Sequence, residues 1–396
     1  MSIGKLKVLS LYEGFFVGGA RIIHSETLKA LHLEGQEHSV LSLTNRLVKE
    51  AGIQWAHENF LWQSLTEAGV TLYALDRDGS SPLTEEELAF AEQLIEDADV
   101  VWALKEQSLE GLQSVLKETK PLVVSLHRSD PENQGAGPST LLGFQEAAKL
   151  KTLVFCAEAS KDAYGAVGLK EELFAVIPNG ISLSRFKRDD EARVRVRDEL
   201  GIAEDAPTVM LAARFDAMKN VPLFLQAAAQ FLAMEPRAQF ILCGTGLTWE
   251  NKDFRETVNE FFGEFNQEHI HPLGVILPME EYYSATDIIA LTSAWGEAAP
   301  LCLLEGMACG AVPVATAVGD TSILVASEGL IVEPIPEAVA AGWGKVFNEL
   351  PEFQERVRIR RETLSNQLMV TSYRALFETV TSPIKIITDE MLAEYS

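Results

Sequence analysis

The sequence predicts an α/β protein built from two doubly wound domains, each around a mostly parallel sheet. With 396 residues the chain is too long for one ordinary core and long enough for two domains of roughly 150–200 residues each. Short apolar runs alternate with helical patterns along both halves, as in βαβ units. Charged and polar residues recur directly after predicted strands, where α/β sheets bind ligands.

Composition excludes several classes of function. The chain carries 58 acidic and 33 basic residues, a net charge of −25, which disfavours binding to nucleic acid through the global field. No nucleic-acid partner is therefore expected. No run of 18 apolar residues occurs and the N-terminus leads straight into a predicted strand, so neither a transmembrane segment nor a signal peptide is predicted. A cytoplasmic protein is expected, while peripheral membrane contact and the oligomeric state stay open.

Cysteine and arginine usage indicates structure rather than binding. The four cysteines lie in apolar runs without the paired spacing of a metal site, so buried thiols are the better interpretation and zinc is not expected. Two arginine-rich stretches, at 185–197 and 356–361, have acidic neighbours, which favours solvated helix faces over a basic binding patch.

The chain begins with a strand, a helix and a strand. Residues 7–12 form the first predicted strand, residues 20–33 the helix and residues 38–43 the second strand, which together make one βαβ unit. Gly18 and Gly19 stand directly before the helix, where glycine permits close backbone approach and leaves N–H groups for an anion. A simple tight turn would account for the pair equally well.

The first half continues with alternating strands and helices. Short strands at 70–74 and 99–103 flank an acidic amphipathic helix at 85–97. A further helix is predicted to end near Leu116, before an apolar strand at 121–126.

His127 is the most informative of the seven histidines. It follows the strand at 121–126 at its carboxyl end, where α/β folds place chemistry, and a long polar loop comes after it. Asp130 is close enough in sequence to orient the imidazole ring. The alternative is a histidine that caps the loop.

The second half opens with a strand at 207–212 and then presents two cations, Arg214 and Lys219, in a strand-to-helix loop. A diphosphate needs such groups, since Arg offers a planar bidentate fork and Lys a compact charge. Both would stabilise negative charge on a leaving group. Surface charge without a ligand is the alternative. Gly244 begins a Gly-x-Gly turn after the next strand, which suits close approach to a nucleotide but lacks the third glycine of the dinucleotide fingerprint.

The stretch at 292–313 is the most informative in the chain. A buried strand at 288–291 ends in a polar loop, and a helix is predicted to start near Pro300, where a proline costs no hydrogen bond. Glu297 lies in the loop and Glu305 in the helix, so two carboxylates converge at the carboxyl end of a strand. Two such acceptors of hydroxyl hydrogen bonds suit a ligand with two sugar rings.

These residues resemble a known family. Glu297 and Glu305 with seven residues between them, followed by Gly306-Met307-Ala308 and Gly310-Ala311-Val312-Pro313, are similar to the Glu-x7-Glu signature of retaining family-4 glycosyltransferases. Members of that family have the GT-B fold, two Rossmann-like doubly wound parallel-sheet domains facing across a cleft. The resemblance covers nearly the full length. It implies transfer of a sugar from a nucleoside-diphosphate sugar, expected to be a UDP- or GDP-sugar, to a hydroxyl acceptor that the sequence does not identify.

The resemblance implies roles for the charged residues. Glu297 would contact the donor sugar and Glu305 the ribose hydroxyls. Arg214 and Lys219 would grip the diphosphate and do the work that a divalent ion does elsewhere, so neither a metal nor a separate cofactor is expected.

It also implies roles for residues outside the charged set. Gly18 and Gly19 would face the donor phosphates and the acceptor, and His127 would lie in the acceptor cleft beside the donor sugar. The remaining residues expected to bind the donor are Gly244, Ala299, Pro300 and Leu301.

The same resemblance implies the domain bounds. Residues 1–185 would form the acceptor-side domain, completed by a C-terminal helix at 370–396, and residues 186–369 the donor-side domain. Two departures from the family pattern occur: Ser182 replaces a usual Asp near the hinge, and Asn220 replaces a common Gly beside the diphosphate loop. Neither is expected to abolish the site.

Two other classes of function stay open. A GT-B protein can be a sugar-nucleotide epimerase or a phosphorylase, and epimerisation would need acidic or basic groups on both faces of the sugar. A non-catalytic nucleotide-sugar-binding protein would keep Glu305 yet dispense with Arg214 and Lys219. The presence of both cations favours chemistry.

Overall fold

The computed structural model describes residues 5–16, 18–49, 52–263 and 267–382. In chain order the first elements are β1 (Lys7–Tyr12), α1 (Gly19–Leu33), β2 (Glu37–Ser42), β3 (Arg46–Lys49), β4 (Gly52–Trp55), α2 (Phe60–Glu67), β5 (Thr71–Ala74), α3 (Glu85–Asp97), β6 (Val100–Leu104), β7 (Leu122–Leu126), α4 (Gly137–Glu146) and β8 (Thr152–Phe155). They continue with α5 (Glu158–Ala166), β9 (Phe174–Val176), α6 (Asp190–Glu199), β10 (Thr208–Ala212), α7 (Val221–Met234), β11 (Gln239–Cys243), α8 (Lys252–Phe262), β12 (Ile270–Gly274), α9 (Met279–Ser284) and β13 (Ile288–Leu291). The last are α10 (Leu301–Ala308), β14 (Val312–Thr316), α11 (Thr321–Val325), β15 (Leu330–Val332), α12 (Pro336–Asn348), α13 (Leu350–Arg360) and α14 (Gln367–Thr381).

The first sheet has the strand order β5-β2-β1-β6-β7-β8-β9. Strands β5, β2, β1, β6 and β7 run parallel, with Leu9 of β1 level with Ser39 of β2 and Val101 of β6. Every residue of β6 and β7 is buried, as expected for parallel strands covered on both faces. The short strands β3 and β4 pair antiparallel and form a separate ribbon.

The second sheet has the order β12-β11-β10-β13-β14-β15, and each neighbouring pair is parallel. Its strand order reverses at β10, which lies between β11 and β13. In doubly wound sheets, ligands bind beyond the carboxyl ends of the strands at such a reversal. The loops that follow β10 and β13 are those that carry Arg214 with Lys219 and Glu297, so the topology brings the two predicted binding stretches to one edge.

Contacts divide the described residues into two units. Unit 1 comprises those within Met1–Ser125, Ser139–Leu153 and Val370–Ser396, and unit 2 those within Leu126–Pro138 and Val154–Met369. Unit 2 therefore contains the second sheet and also the loop that begins at His127. Of the C-terminal helix predicted at 370–396, α14 covers the part up to Thr381, and residues 383–396 lie outside the described residues. The domain bounds taken from the family resemblance stay a prediction.

A buried aromatic cluster supports the second sheet. Trp343 of α12 packs against Phe224 and Phe231 of α7 and Phe240 of β11, with ring centroids 5.2, 6.0 and 6.1 Å apart. All four side chains are almost fully buried. Aromatic packing of this kind fixes α7, and with it the loop that joins β10 to α7.

Helix α10 lies close to the sheet because Gly306 has no side chain. A Cβ atom at Gly306 would stand 2.8 Å from Cγ2 and 2.9 Å from Cβ of Ile289, a fully buried residue of β13. Ile289 is β-branched and cannot move aside cheaply. We expect Gly306→Ala to lower the free energy of unfolding by about 1–3 kcal/mol, because overpacking outweighs the gain of about 1 kcal/mol in helix propensity.

Thermal unfolding measures this effect against Gly143→Ala in α4, where an added Cβ meets nothing within 4 Å. The control variant should unfold at or above the wild-type temperature. A Gly306→Ala protein as stable as the control would contradict the packing argument.

Two sequence-based expectations are wrong, one about a helix and one about the exposure of an arginine. The helix predicted to end near Leu116 is a 3-10 helix at Glu106–Leu109 followed by turns, because Lys105 (φ 63°) and Gly111 (φ +79°) both adopt left-handed backbone. The expectation that the arginine-rich stretches form solvated helix faces is wrong at Arg197. Arg197 is buried and donates to the Thr208 hydroxyl and the Ala285 carbonyl, 2.8 and 2.9 Å away, so it supports the fold.

The expectation of buried thiols is met. All four cysteines are free and buried: Cys156, Cys243, Cys302 and Cys309. No helix in the described ranges is both long enough and apolar enough to cross a bilayer.

Candidate functional site

One carboxylate, that of Asp216, orders the loop after β10 that carries Arg214 and Lys219. Asp216 accepts a hydrogen bond from Arg214 Nε at 2.9 Å and another from the Lys219 backbone N–H, also at 2.9 Å. The loop ends at Asn220, whose backbone is left-handed (φ 48°, ψ 50°). Glycine suits that conformation, and asparagine is among the side chains that tolerate it best. The departure at Asn220 therefore keeps the shape of the loop.

Glu297, in the loop after β13, receives the ammonium group of Lys219. Lys219 Nζ lies 2.5 Å from Glu297 Oε1, and the Ser293 hydroxyl donates to the same oxygen at 2.5 Å. Glu297 is only 6% exposed, and the Lys219 side chain 14% exposed. An ion pair with so little solvent around it depends on both partners, since removal of one leaves a buried charge without compensation.

Glu305 lies on α10, the helix that follows the Glu297 loop. Its Oε2 accepts a hydrogen bond from the Tyr283 hydroxyl at 2.9 Å. Burial raises the pKa of Glu305 to about 7, although the Tyr283 hydrogen bond and the charge of Arg185 oppose the rise. Glu305 therefore changes charge near neutral pH, and it accepts hydrogen bonds best above that pKa.

The raised pKa of Glu305 predicts that one substitution increases stability and weakens nucleotide binding. A carboxyl group whose pKa is raised on folding costs stability once the pH exceeds its unfolded value, so the cost grows between pH 5 and 8. We expect Glu305→Gln to unfold at a higher temperature than wild type at pH 8, with the difference much smaller at pH 5 because the folded carboxyl is then protonated. The same change should weaken UDP or GDP binding at pH 8 by on the order of 10-fold, because a charge-assisted hydrogen bond is lost.

Calorimetric titration and thermal unfolding across this pH range check both effects. Exposed Glu333→Gln is the control and should change neither property. Equal stability of Glu305→Gln and wild type at pH 8 would contradict the raised pKa, and unchanged nucleotide affinity would contradict the binding role.

The segment after β7 reaches the Glu297 loop. His127 is half-buried directly after the strand. Asp130, suggested by the sequence as a partner for His127, binds Arg128 through both carboxylate oxygens, with Arg128 Nε 2.7 Å from Oδ1. The Asp130 carboxylate is the main cause that raises the pKa of Arg128, followed by the charges of Glu297 and Asp216. Arg128 is thus a third cation of this site, which sequence reasoning missed.

Gly244 has a structural reason to be glycine. Its φ is +136°, and an added Cβ would lie 1.9 Å from the carbonyl oxygen of Ala213. The loop after β11 can therefore lie against the loop after β10, where Phe215 N–H donates to the Thr245 carbonyl at 2.8 Å. Packing alone accounts for this residue, and its contact with a donor stays a prediction.

The residues before α10 contact other parts of unit 2. The Ala299 carbonyl accepts a hydrogen bond from Asn179 Nδ2 at 3.1 Å, and Ala299 packs against buried Cys156 and Ala157. Pro300 is the N-cap of α10, as predicted, and Leu301 packs partly buried against the unit 2 core. Roles of these residues toward a donor also stay predictions.

Gly18 and Gly19 belong to unit 1 and stand at the start of α1. Gly18 is extended (φ −178°) and its carbonyl accepts from the N–H groups of Arg21 and Ile22, each at 3.0 Å. A Cβ at Gly18 would meet no atom of the described chain within 4 Å, so packing within unit 1 does not demand glycine there.

Acidic and basic side chains balance in the unit 2 site. Arg128, Arg214 and Lys219 each contact a carboxylate, from Asp130, Asp216 and Glu297 respectively. Such cations can exchange a carboxylate for a phosphate oxygen without leaving their positions, and Arg offers the planar fork that a diphosphate matches. The arrangement can therefore bind a diphosphate and stabilise charge on it.

Carboxylate clusters suited to metals do not occur among the described residues, where no three His, Cys, Asp or Glu side chains converge. Two Asp-x-Asp sequences lie in unit 1, at 76–78 and 97–99. Their acids serve local contacts: Asp76 binds Arg46 at 3.0 Å, and Asp99 accepts from the Lys7 N–H at 2.8 Å.

Comparison with known sequences locates the similarity in the second half of the chain. Residues 193–362 match the family model described as Glycosyl transferases group 1. The chain is 33% identical over 168 residues to a D-inositol 3-phosphate glycosyltransferase of Geodermatophilus obscurus, over 40% of this chain and 36% of that protein. It is 26% identical over 155 residues to the lipopolysaccharide 1,2-N-acetylglucosaminetransferase of Salmonella typhimurium, over 38% of this chain and 40% of that protein. The matched region spans less than half of each of these two curated relatives.

Comparison with solved structures covers nearly the whole chain. HepE of Anabaena in complex with UDP-glucose superposes with a TM-score of 0.78 at 20% identity, over 96% of this chain and all of that one. WaaG, a glycosyltransferase involved in lipopolysaccharide biosynthesis, gives a TM-score of 0.67 at 15% identity, over 96% of this chain and 100% of that one. At these identities the likeness establishes the fold. The predicted class, GT-B with two Rossmann-like parallel-sheet domains, is confirmed.

Proposed function

We propose that this chain, whose residues 193–362 match the glycosyl transferases group 1 family model, transfers a sugar from a nucleoside-diphosphate sugar to a hydroxyl acceptor. The observation that carries the proposal is the contact between Lys219 and Glu297 at the switch point of the second sheet, at 2.5 Å. It joins the cation expected at the diphosphate to the acid expected at the sugar. The two groups of one reaction are thus neighbours, although 78 positions separate them in the chain.

The charges suit a diphosphate leaving group. When the bond from the sugar to the diphosphate breaks, negative charge grows on the phosphate oxygens. Lys219, with little exposure to solvent, and Arg214, about half exposed, would stabilise that charge. Because side-chain cations fill this role, we propose that the reaction needs no divalent metal and no other cofactor.

Glu297 would hold the transferred sugar. Both hydrogen bonds that its carboxylate accepts within the described residues go to Oε1, from Lys219 and Ser293, so Oε2 is left to accept a sugar hydroxyl. Glu305, one helix turn inside α10, would accept the ribose hydroxyls. His127 and the Gly18-Gly19 pair would face the reacting centre, and retention of the anomeric configuration follows from the family resemblance.

The donor class is supported by the structural neighbour. HepE was solved with UDP-glucose, so a uridine or guanosine diphosphate sugar is our first choice of donor. Several curated relatives carry names with inositol 3-phosphate as the acceptor. We propose a hydroxyl acceptor of the sugar or polyol type, acting in the cytoplasm.

Incubation with radiolabelled UDP-, GDP- and ADP-sugars, with and without sugar or polyol acceptors and EDTA, tests the proposal. The expected result is acceptor-dependent transfer that survives EDTA, with the anomeric configuration of the product retained by NMR. Conversion of the donor without any acceptor would indicate an epimerase, and phosphate-dependent cleavage a phosphorylase. Binding without turnover for every donor and acceptor would indicate a sensor and end the proposal.

A further inference from the structure

The residues after His127 hold the Glu297 loop by its backbone. The Ser129 hydroxyl donates to the carbonyl oxygen of Glu297 at 2.5 Å, a contact across 168 positions of sequence. Both residues belong to unit 2. A bond to the main chain of Glu297 acts on the position of the whole residue, whereas Lys219 and Ser293 act on its carboxylate.

The Arg128–Asp130 ion pair packs against the same loop at Gly296, one residue before Glu297. A Cβ at Gly296 would lie 2.7 Å from Arg128 Nη2 and 2.9 Å from Asp130 Oδ2, and the φ of Gly296 is +74°. Only glycine combines this backbone conformation with so close an approach. The Asp130 carboxylate is almost fully buried and binds Arg128 through both of its oxygens. This ion pair therefore packs directly against Gly296.

Gly319 also packs against the Glu297 carbonyl. A Cβ at Gly319 would lie 2.1 Å from the Glu297 oxygen, and its φ is +58°. The next residue, Asp320, donates its N–H to the Ala298 carbonyl at 3.0 Å. The main chain around Glu297 is thus contacted both by Ser129 and by the Gly319 turn.

We infer that the segment Arg128–Asp130 is a positioning element for Glu297, in which the Ser129 hydroxyl sets where the carboxylate stands. This inference rests on the proposed function of Glu297 at the donor sugar. Catalytic groups must be held to a fraction of an ångström, and a shift of 1 Å can cost about 10²-fold in rate. Ser129 itself touches no reacting atom in this scheme.

Ser129→Ala and Ser129→Thr test the inference with steady-state kinetics. Ser129→Ala should lower kcat by on the order of 10-fold, since one hydrogen bond to the main chain is lost and the carboxylate moves. Its affinity for UDP or GDP should stay within about twofold of wild type, because Arg214, Lys219 and Glu305 are unaltered. Ser129→Thr keeps the hydroxyl and should restore most of the rate.

Ser108→Ala is the matched control, because its buried hydroxyl also donates to a backbone carbonyl, that of Lys105, at 2.9 Å. It should leave kcat unchanged. A wild-type kcat in Ser129→Ala, or a loss in Ser129→Thr as large as in Ser129→Ala, would overturn the inference.

A second readout separates this inference from the proposed function. In a crystal structure of Ser129→Ala, the Glu297 carboxylate should be displaced or disordered relative to wild type, whether or not transfer activity is found. An unmoved carboxylate overturns the positioning role. Wild-type protein that shows no transfer to any acceptor would instead remove the proposed function.

Discussion

Lys219→Ala is expected to lower kcat by on the order of 10²-fold or more, because it removes the cation that stabilises the leaving diphosphate. The structure adds a second cause. Glu297 loses its charged partner at 2.5 Å and keeps only the Ser293 hydrogen bond to Oε1 among the contacts described. Both effects act at the reacting centre, so the loss should appear in kcat and not only in the KM for the donor.

Turnover at saturating donor is the measurement that matters here. Lys252→Ala is the control, since its side chain is 73% exposed on α8 and forms an ion pair with Glu256. That variant should keep full activity, because exposed ion pairs contribute little. Near-normal turnover of Lys219→Ala at saturating donor would refute the role assigned to Lys219.

Glu297→Gln is expected to lower kcat by about 10- to 100-fold, the effect of losing a charge-assisted hydrogen bond at a site with little solvent. Glutamine keeps the shape and can still accept from Ser293. It cannot offset the charge of Lys219, which would be left without its partner. Loss of the bond to the donor sugar and loss of the ion pair should therefore occur together.

A double-mutant cycle separates these contributions. Because Lys219 and Glu297 touch, the combined variant should lose much less than the sum of the two single losses expressed as free energies. Additive losses in kcat would show that the two residues act independently and would contradict the shared site. Ser108→Ala, which alters a hydrogen bond within unit 1, combined with Lys219→Ala provides the additive reference.

Sequence reasoning located the loops of the site but not the contacts inside them. Arg214, Lys219 and Glu297 all follow strands of a doubly wound sheet, and the rule that ligands bind at strand carboxyl ends places them at one edge. The rule gives no side-chain partners. It could not foresee that Lys219 and Ser293 share one oxygen of Glu297, nor that Tyr283 of α9 bonds Glu305.

Arg128 and Ser129 were missed for a related reason. Their only sequence signal is a polar loop after a buried strand, and such loops are common. What makes them relevant is a contact across 168 positions and the absence of a side chain at Gly296. Glycines with left-handed backbone next to a candidate acid are a signal that could have found them, since such positions mark close approach of another part of the chain.

Local backbone chemistry accounts for the failure between Lys105 and Leu116. The leucines of that stretch have helical spacing, which favoured a helix. Gly111 adopts φ +79°, where a Cβ would lie 3.1 Å from Leu83, so tertiary packing fixed a turn there. A glycine inside a helical pattern is compatible with either outcome from sequence alone.

A crystal structure with UDP or GDP bound tests the central claim most directly. The account predicts diphosphate oxygens within hydrogen-bond distance of both Arg214 and Lys219, and ribose hydroxyls on Glu305. A nucleotide bound away from these side chains, or phosphates held by a metal ion in their place, would contradict it.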